Sequence, residues 1–144
     1  MNNFKRLRPT EGVIVKASYE AYNNTGFFTV YDLENENVII KKFFDDFEGS
    51  ANLLFLIGIC EYLRHCNQTG VILKKVYCAN STAHSWAKTR RCKSAYVAGK
   101  FKSYVEESLS FLNSVDFCEY IILWEKSWGK WRPTPSWFTD EAPF

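Results

Sequence analysis

The chain has 144 residues, 47% of them hydrophobic, 17% aromatic and 24% charged, enough apolar material for one domain with its own core and too much for an intrinsically disordered chain. Eighteen Lys+Arg against sixteen Asp+Glu leave a formal charge of +2, so the molecule as a whole is not a polyanion binder and any basic function is local. The longest apolar run, Leu53 to Cys60, is far below the roughly 20 residues of a membrane span, and the start MNNFKRLRPTEG lacks the apolar stretch of a signal peptide. Five cysteines (Cys60, Cys66, Cys78, Cys92, Cys118), an odd number without CxxC spacing, predict free thiols in a soluble protein of the reducing cytoplasm. Sequons at Asn23, Asn67 and Asn80 carry no weight without secretion.

In chain order, residues 1–11 form a polar N-terminal tail whose Lys5, Arg6 and Arg8 read as a solubilising cluster. Val13-Ile14-Val15 opens a β-rich stretch, Asn23-Asn24-Thr25-Gly26 supplies residues that tolerate a tight turn, and Phe27 to Leu33 is aromatic and β-branched. Glu34-Asn35-Glu36-Asn37 is a polar turn before a strand over Val38 to Phe44, which predicts a three-stranded antiparallel meander. Ser50 is placed to cap a helix with an apolar stripe at Leu53, Leu56, Ile57, Cys60 and Leu63, ending near Asn67 and closed by Gly70. Val71 to Cys78 reads as a strand, and Asn80 or Ser81 as the cap of a short helix over Thr82 to Lys88. Val97, Phe101, Tyr104, Val105, Leu109 and Leu112 at helical spacing predict a helix over residues 97 to 113, and Phe117 to Trp124 a last strand. The order β-β-β-α-β-α-α-β predicts an α/β domain over residues 12–124, a five-stranded mixed sheet flanked by helices. Residues 125–144, rich in Trp and Pro, cannot continue a regular strand and predict an irregular C-terminal arm.

Several strings within this order resemble the short bacterial form of ribonuclease H, over about residues 12 to 138. Val76-Tyr77-Cys78-Ala79-Asn80-Ser81-Thr82-Ala83-His84-Ser85-Trp86 resembles the family's strand-to-helix segment I-Y-[ST]-D-S-x-T-A-x-S-W. Val15-Lys16-Ala17-Ser18 resembles V-D-A-[AS] of its first strand, and Asn52 to Leu63 its helix opening N-x-x-E-F-L-A-I-x-x-A-L. Trp124-Glu125-Lys126-Ser127-Trp128-Gly129 is similar to the closing W-E-T-x-x-W-G. The resemblance implies the ribonuclease H-like fold and a site of four carboxylates, because two Mg²⁺ ions about 4 Å apart accept oxygen ligands. In this chain those positions fall on Lys16, Leu54, Ala79 and, for the final aspartate, Pro135 or Ser136. A metal-free, catalytically inactive homologue without cofactor is the expectation. Displaced acids that would restore a nuclease are Glu20, Asp45, Asp46, Glu48, Asp140 and Glu141, in turns or tails.

Between Trp86 and Lys102 the chain carries Lys88, Arg90, Arg91, Lys93, Lys100 and Lys102 with no acid. Such a run is either a solvated face or a phosphate-tracking surface. The resemblance favours the second, with RNA, DNA, an RNA–DNA hybrid or a nucleoprotein complex as partner. Trp128, Trp131 and Trp137, with Arg132 and two prolines, suit a protein or nucleic-acid contact if exposed, since a small core does not easily bury them together with Trp124. The alternative is an arm that covers the hydrophobic edge left by the missing active site. His84 and Ser85 are adjacent on a helix and face different ways, so they form no nucleophile pair, and His65, Cys66, Cys78 and Cys92 lack zinc-ligand spacing. Tyr19, Tyr22, Phe27 and Phe28 could stack bases, although aromatics on a sheet at such positions ordinarily belong to the core. The expected function is thus an inactive ribonuclease H-like binding or scaffold module. An active nuclease using displaced acids and a pure protein-interaction subunit are the alternatives.

Overall fold

Successive side chains of an extended strand point to opposite faces, and the first strand divides Val13, Val15, Ala17 and Tyr19 from Ile14, Lys16 and Ser18. In the computed structural model, which describes residues 7–47, 49–91, 102–114 and 118–133, that strand is β1 (Val13–Glu20). It pairs antiparallel with β2 (Thr25–Asp32), which pairs antiparallel with β3 (Val38–Phe44). On its other edge β1 pairs in parallel with β4 (Val76–Cys78), and β4 with β5 (Ile121–Leu123), so the sheet order is β3-β2-β1-β4-β5. The helices are α1 (Ala51–Thr69), α2 (Ser81–Thr89) and α3 (Lys102–Ser114). The expected mixed sheet and element order are both present.

The Val13, Val15, Phe28, Val30, Val76 and Ile121 face is covered by α1 through Leu53, Leu54, Leu56, Ile57, Ile59, Cys60 and Leu63, all buried, with Val105 and Leu112 of α3. Each such Leu or Ile contributes about 1.5–3 kcal/mol by leaving water. α1 lies unusually close to β1 at Gly58, where an added Cβ would stand 2.6 Å from Val15 Cγ1. Ser50 caps α1 by accepting from the Leu53 amide, and Gly70 ends it in the left-handed region at φ 72° with its N–H on the Cys66 carbonyl. Tyr104 Oη donates to Glu61 Oε1 at 2.7 Å, and Lys42 Nζ pairs with Glu61 Oε2 at 3.0 Å, tying α3 to α1 and β3.

Two elements differ from expectation. The predicted strand over Val71 to Cys78 is regular only from Val76, because its partner β1 begins at Val13, opposite Val76, and nothing upstream continues the ladder. The predicted last strand begins with a 3₁₀ turn, Cys118–Tyr120, and is extended only over Ile121–Leu123. Of the helix expected over residues 97 to 113, residues 97–101 lie outside the described residues.

The opposite face of the sheet carries a second core of Ile14, Leu33, Tyr77, Trp124, Trp128 and Trp131. Trp124 and Trp128 meet edge to face at 5.0 Å, Tyr77 lies 5.8 Å and 6.1 Å from them, and Tyr31 lies 5.0 Å from Trp131. The Trp124 indole N–H donates to the Gly129 carbonyl at 2.8 Å, so the polar end of a buried ring is satisfied. Trp128 and Trp131, expected to be exposed for a partner, are instead 8% and 6% exposed. Within residues 125–133 the arm covers part of this sheet face, and the core runs past residue 124. Trp137 lies outside the described residues.

Candidate functional site

β4 stops at Cys78, paired with Val15, while β1 runs on to Glu20. Lys16, in mid-β1 and still paired with Thr29 of β2, and Ala79, just after β4, are therefore the first residues beyond the parallel pairing. Ala79 is exposed, and the chain turns there into α2. Asn80 fixes that turn: its Oδ1 accepts from the Ala83 amide at 2.8 Å, and its Nδ2 donates to Asn52 Oδ1 at 2.7 Å, joining the starts of α1 and α2. Lys16 is half-buried, and its Nζ donates to the Trp131 carbonyl at 3.1 Å. Lys130 and Arg132, flanking that carbonyl, are exposed. Burial lowers the Lys16 pKa, and the charges of Lys130 and then Arg132 lower it further, so three cations crowd this spot.

Leu54 is not part of this cluster. It is fully buried on the helix-covered side of the sheet, where its Cδ1 would stand 2.5 Å from a Cβ added to Gly26 of β2, while Lys16 shares the opposite face with Ile14. The helix position given as Leu54 is corrected accordingly: counted from Asn52 along N-x-x-E, the glutamate place is Phe55, also not a carboxylate. Glu20 lies at the hairpin end of β1 with Asn23 Nδ2 donating to it at 3.2 Å, and Asp45 and Asp46 are exposed after β3. Ser136, Pro135, Glu48, Asp140 and Glu141 lie outside the described residues. Among the described residues no three His, Cys, Asp or Glu side chains gather as a metal site.

Of the basic segment, Lys88 and Arg91 are exposed and Arg90 partly so, all at the C-terminal end of α2, whose partial negative charge they offset. An open groove of about 420 Å³ beside them is lined by Ser85, Trp86, Thr89 and Arg91. Lys93 and Lys100 lie outside the described residues, as does the side chain of Lys102. Burial and Lys88 hold the His84 imidazole below its usual pKa. Cys60, Cys66 and Cys78 are free and buried, and burial pushes the thiols of Cys60 and Cys78 up to about 12, which makes them inert.

Of the four aromatics weighed as stacking groups, Phe28 is fully buried and Tyr19 is held between Asn24 Oδ1 and the Phe47 carbonyl, both accepting from its hydroxyl at 3.0 Å. Tyr22 is exposed in the β1–β2 turn, and Phe27 is exposed on the sheet face away from the helices. Sequence reasoning missed Lys130, whose only signal was its place beside Trp131 in the arm. Lys41 and Phe43 of β3 were missed as well, because alternation alone does not say which face remains uncovered.

No protein-family model matches the sequence, and no curated protein does. Among solved structures, the chain is similar to LC11-RNase H1, isolated from compost by a metagenomic approach, at a TM-score of 0.50 and 9% identity over 80% of this chain and 83% of that one. RNase H1 from the halophilic archaeon Halobacterium salinarum NRC-1 aligns at a TM-score of 0.44 and 3% identity, over 78% and 80% of the two chains. LC11-RNase H1 in complex with an RNA/DNA hybrid aligns at 0.45 and 8%, over 77% and 80%. At 9% identity the first likeness is one of fold: the chain folds as a ribonuclease H-like α/β domain.

Proposed function

We propose that this ribonuclease H-like domain is a catalytically inactive module that binds the phosphate backbone of nucleic acid, RNA–DNA hybrid included. The observation that carries the reading is the cluster of Lys16, Lys130 and Arg132 where β1 runs on past the end of β4. The family resemblance places metal-binding carboxylates at Lys16 and Ala79. An ammonium about 4 Å from a Mg²⁺ ion repels it by several kcal/mol at an effective dielectric near 20. The same charges attract a phosphodiester directly, so the cluster supports retention of the backbone without activation of a water. Lys88, Arg90 and Arg91 at the end of α2 supply a second cationic contact, consistent with the sequence-based assignment of that segment.

The test is fluorescence anisotropy with a labelled RNA–DNA hybrid at several salt concentrations, with the RNA strand analysed after incubation in Mg²⁺ or Mn²⁺. Expected are salt-sensitive binding, an intact RNA strand, and a salt slope lowered by about two units in Lys130→Ala/Arg132→Ala and again in Lys88→Ala/Arg91→Ala, near 0.9 for each phosphate no longer neutralised. Metal-dependent cleavage abolished by changing Asp45, Asp46 or Glu48 would overturn inactivity. A protein that binds no nucleic acid at low salt would overturn the whole reading and favour a protein-interaction role.

A further inference from the structure

The sheet face away from the helices is covered only in part. Trp124, Trp128 and Trp131 pack over Ile14, Tyr31 and Tyr77, while Phe27 is 37% and Phe43 66% exposed. These two rings belong to one row. Phe27 of β2 pairs in register with Phe43 of β3 and with Ser18 of β1, and the neighbours Phe28 and Phe44 point the other way, in ring contact with each other on the helix-covered side. The next row, two residues along each strand, is Lys16, Thr29 and Lys41 in register, with the middle residue Thr29 buried and Lys130 and Arg132 beside Lys16. Lys41 is exposed on this face, whereas its neighbour Lys42 turns to the other side and pairs with Glu61. Two lysines on the outer strands β1 and β3 thus stand one row from two phenylalanines on β2 and β3, about 7 Å away from the strand rise.

Resting on the backbone-binding reading above, we propose that this open face binds single-stranded nucleic acid, with phosphates along Lys41, Lys16, Lys130 and Arg132 and unpaired bases stacked on Phe27 and Phe43. Stacking on aromatic side chains beside a cationic track is sequence-tolerant, because every base has a π face. A duplex keeps its bases in its own stack and has none to offer the two rings, so the face discriminates by strandedness.

The experiment compares anisotropy titrations of labelled oligothymidylate and oligouridylate of about 15 nucleotides with those of an RNA–DNA hybrid duplex. The proteins are the full chain, Phe27→Ala/Phe43→Ala and Lys130→Ala/Arg132→Ala, with folding checked by circular dichroism. Both phenylalanines are exposed, so the first variant keeps its core. Expected is a loss of single-strand affinity of about tenfold or more in Phe27→Ala/Phe43→Ala, with the salt slope and the hybrid affinity unchanged. The cation variant should weaken both probes and flatten both slopes. If Phe27→Ala/Phe43→Ala binds single strands as tightly as the parent while the cation variant weakens both probes, the stacking face is overturned and the backbone-binding reading stands. If neither probe binds at low salt, both fall. Sedimentation showing a dimer that Phe27→Ala/Phe43→Ala dissociates would overturn the proposal by assigning the aromatic row to a second copy of the chain.

Discussion

Lys16 shows how one side chain can carry two opposed energies. Its ammonium satisfies the Trp131 carbonyl, yet burial and the charges of Lys130 and Arg132 hold its pKa below the ordinary lysine value. A lysine with a lowered folded-state pKa binds fewer protons folded than unfolded between that value and about 10.4, so its contribution to stability rises with pH through this window. Replacement by Met removes both the hydrogen bond and the titration. The stability difference, parent minus Lys16→Met, should therefore shift in favour of the parent between pH 8 and pH 10.5 in urea denaturation, whatever its sign at neutral pH. A difference that stays flat across that range would show that Lys16 is no more burdened than a surface lysine. The residue stood out in the sequence as a lysine inside a string that resembles the family's first strand, but its neighbours were not legible: Lys130 and Arg132 come from a segment more than a hundred positions away, and only tertiary packing brings them together.

Local chemistry made most elements readable. Ser50, Gly70 and Asn80 act as caps because their side chains, or the absence of one, satisfy the orphan groups at helix ends, which needs no knowledge of the rest of the chain. The limits of β4 were not readable, since they depend on where β1 begins, and Ile72, inside the expected strand, is 83% exposed. The distance of α1 from the sheet was equally hidden. It is set at Gly58, where glycine in mid-helix is unfavourable by about 1 kcal/mol relative to alanine and is tolerated for its small size. Gly58→Ala should nonetheless destabilise the protein, because a Cβ 2.6 Å from Val15 Cγ1 and 3.1 Å from Phe28 Cδ1 meets two fully buried side chains, and overpacking costs about 1–3 kcal/mol. The double variant Gly58→Ala/Val15→Ala relieves the first contact and should be more stable than the sum of the single changes predicts. Strict additivity in chemical denaturation would show that α1 moves away freely.

At the scale of the whole molecule, the two faces of the sheet are closed by different means. Helices cover one, and an irregular Trp-rich arm covers part of the other. The tryptophans of that arm could be read as binding groups or as core, and composition alone cannot choose, because a large ring serves either purpose. The packing decides for Trp128: it meets Tyr77 and Trp124 edge to face, and Arg8 Nη1 donates to its carbonyl at 3.2 Å, so the N-terminal segment is held to the arm as well. If Trp128 were an interface anchor, Trp128→Ala would weaken a partner complex and leave the free protein's stability unchanged. As a core residue, its truncation should cost about 3–5 kcal/mol, a large share of the roughly 5–15 kcal/mol typical of a whole domain. The loss should appear as a lower denaturation midpoint, seen equally by tryptophan fluorescence and by far-ultraviolet circular dichroism. Coincident transitions would mean that the arm and the sheet unfold together as one cooperative unit. An arm that melts first, with the helical signal intact, would mean that the second core is an independent cover. In that case Lys130 and Arg132 would be presented by a segment able to leave the sheet, and the proposed nucleic-acid binding would weaken with temperature before the fold does.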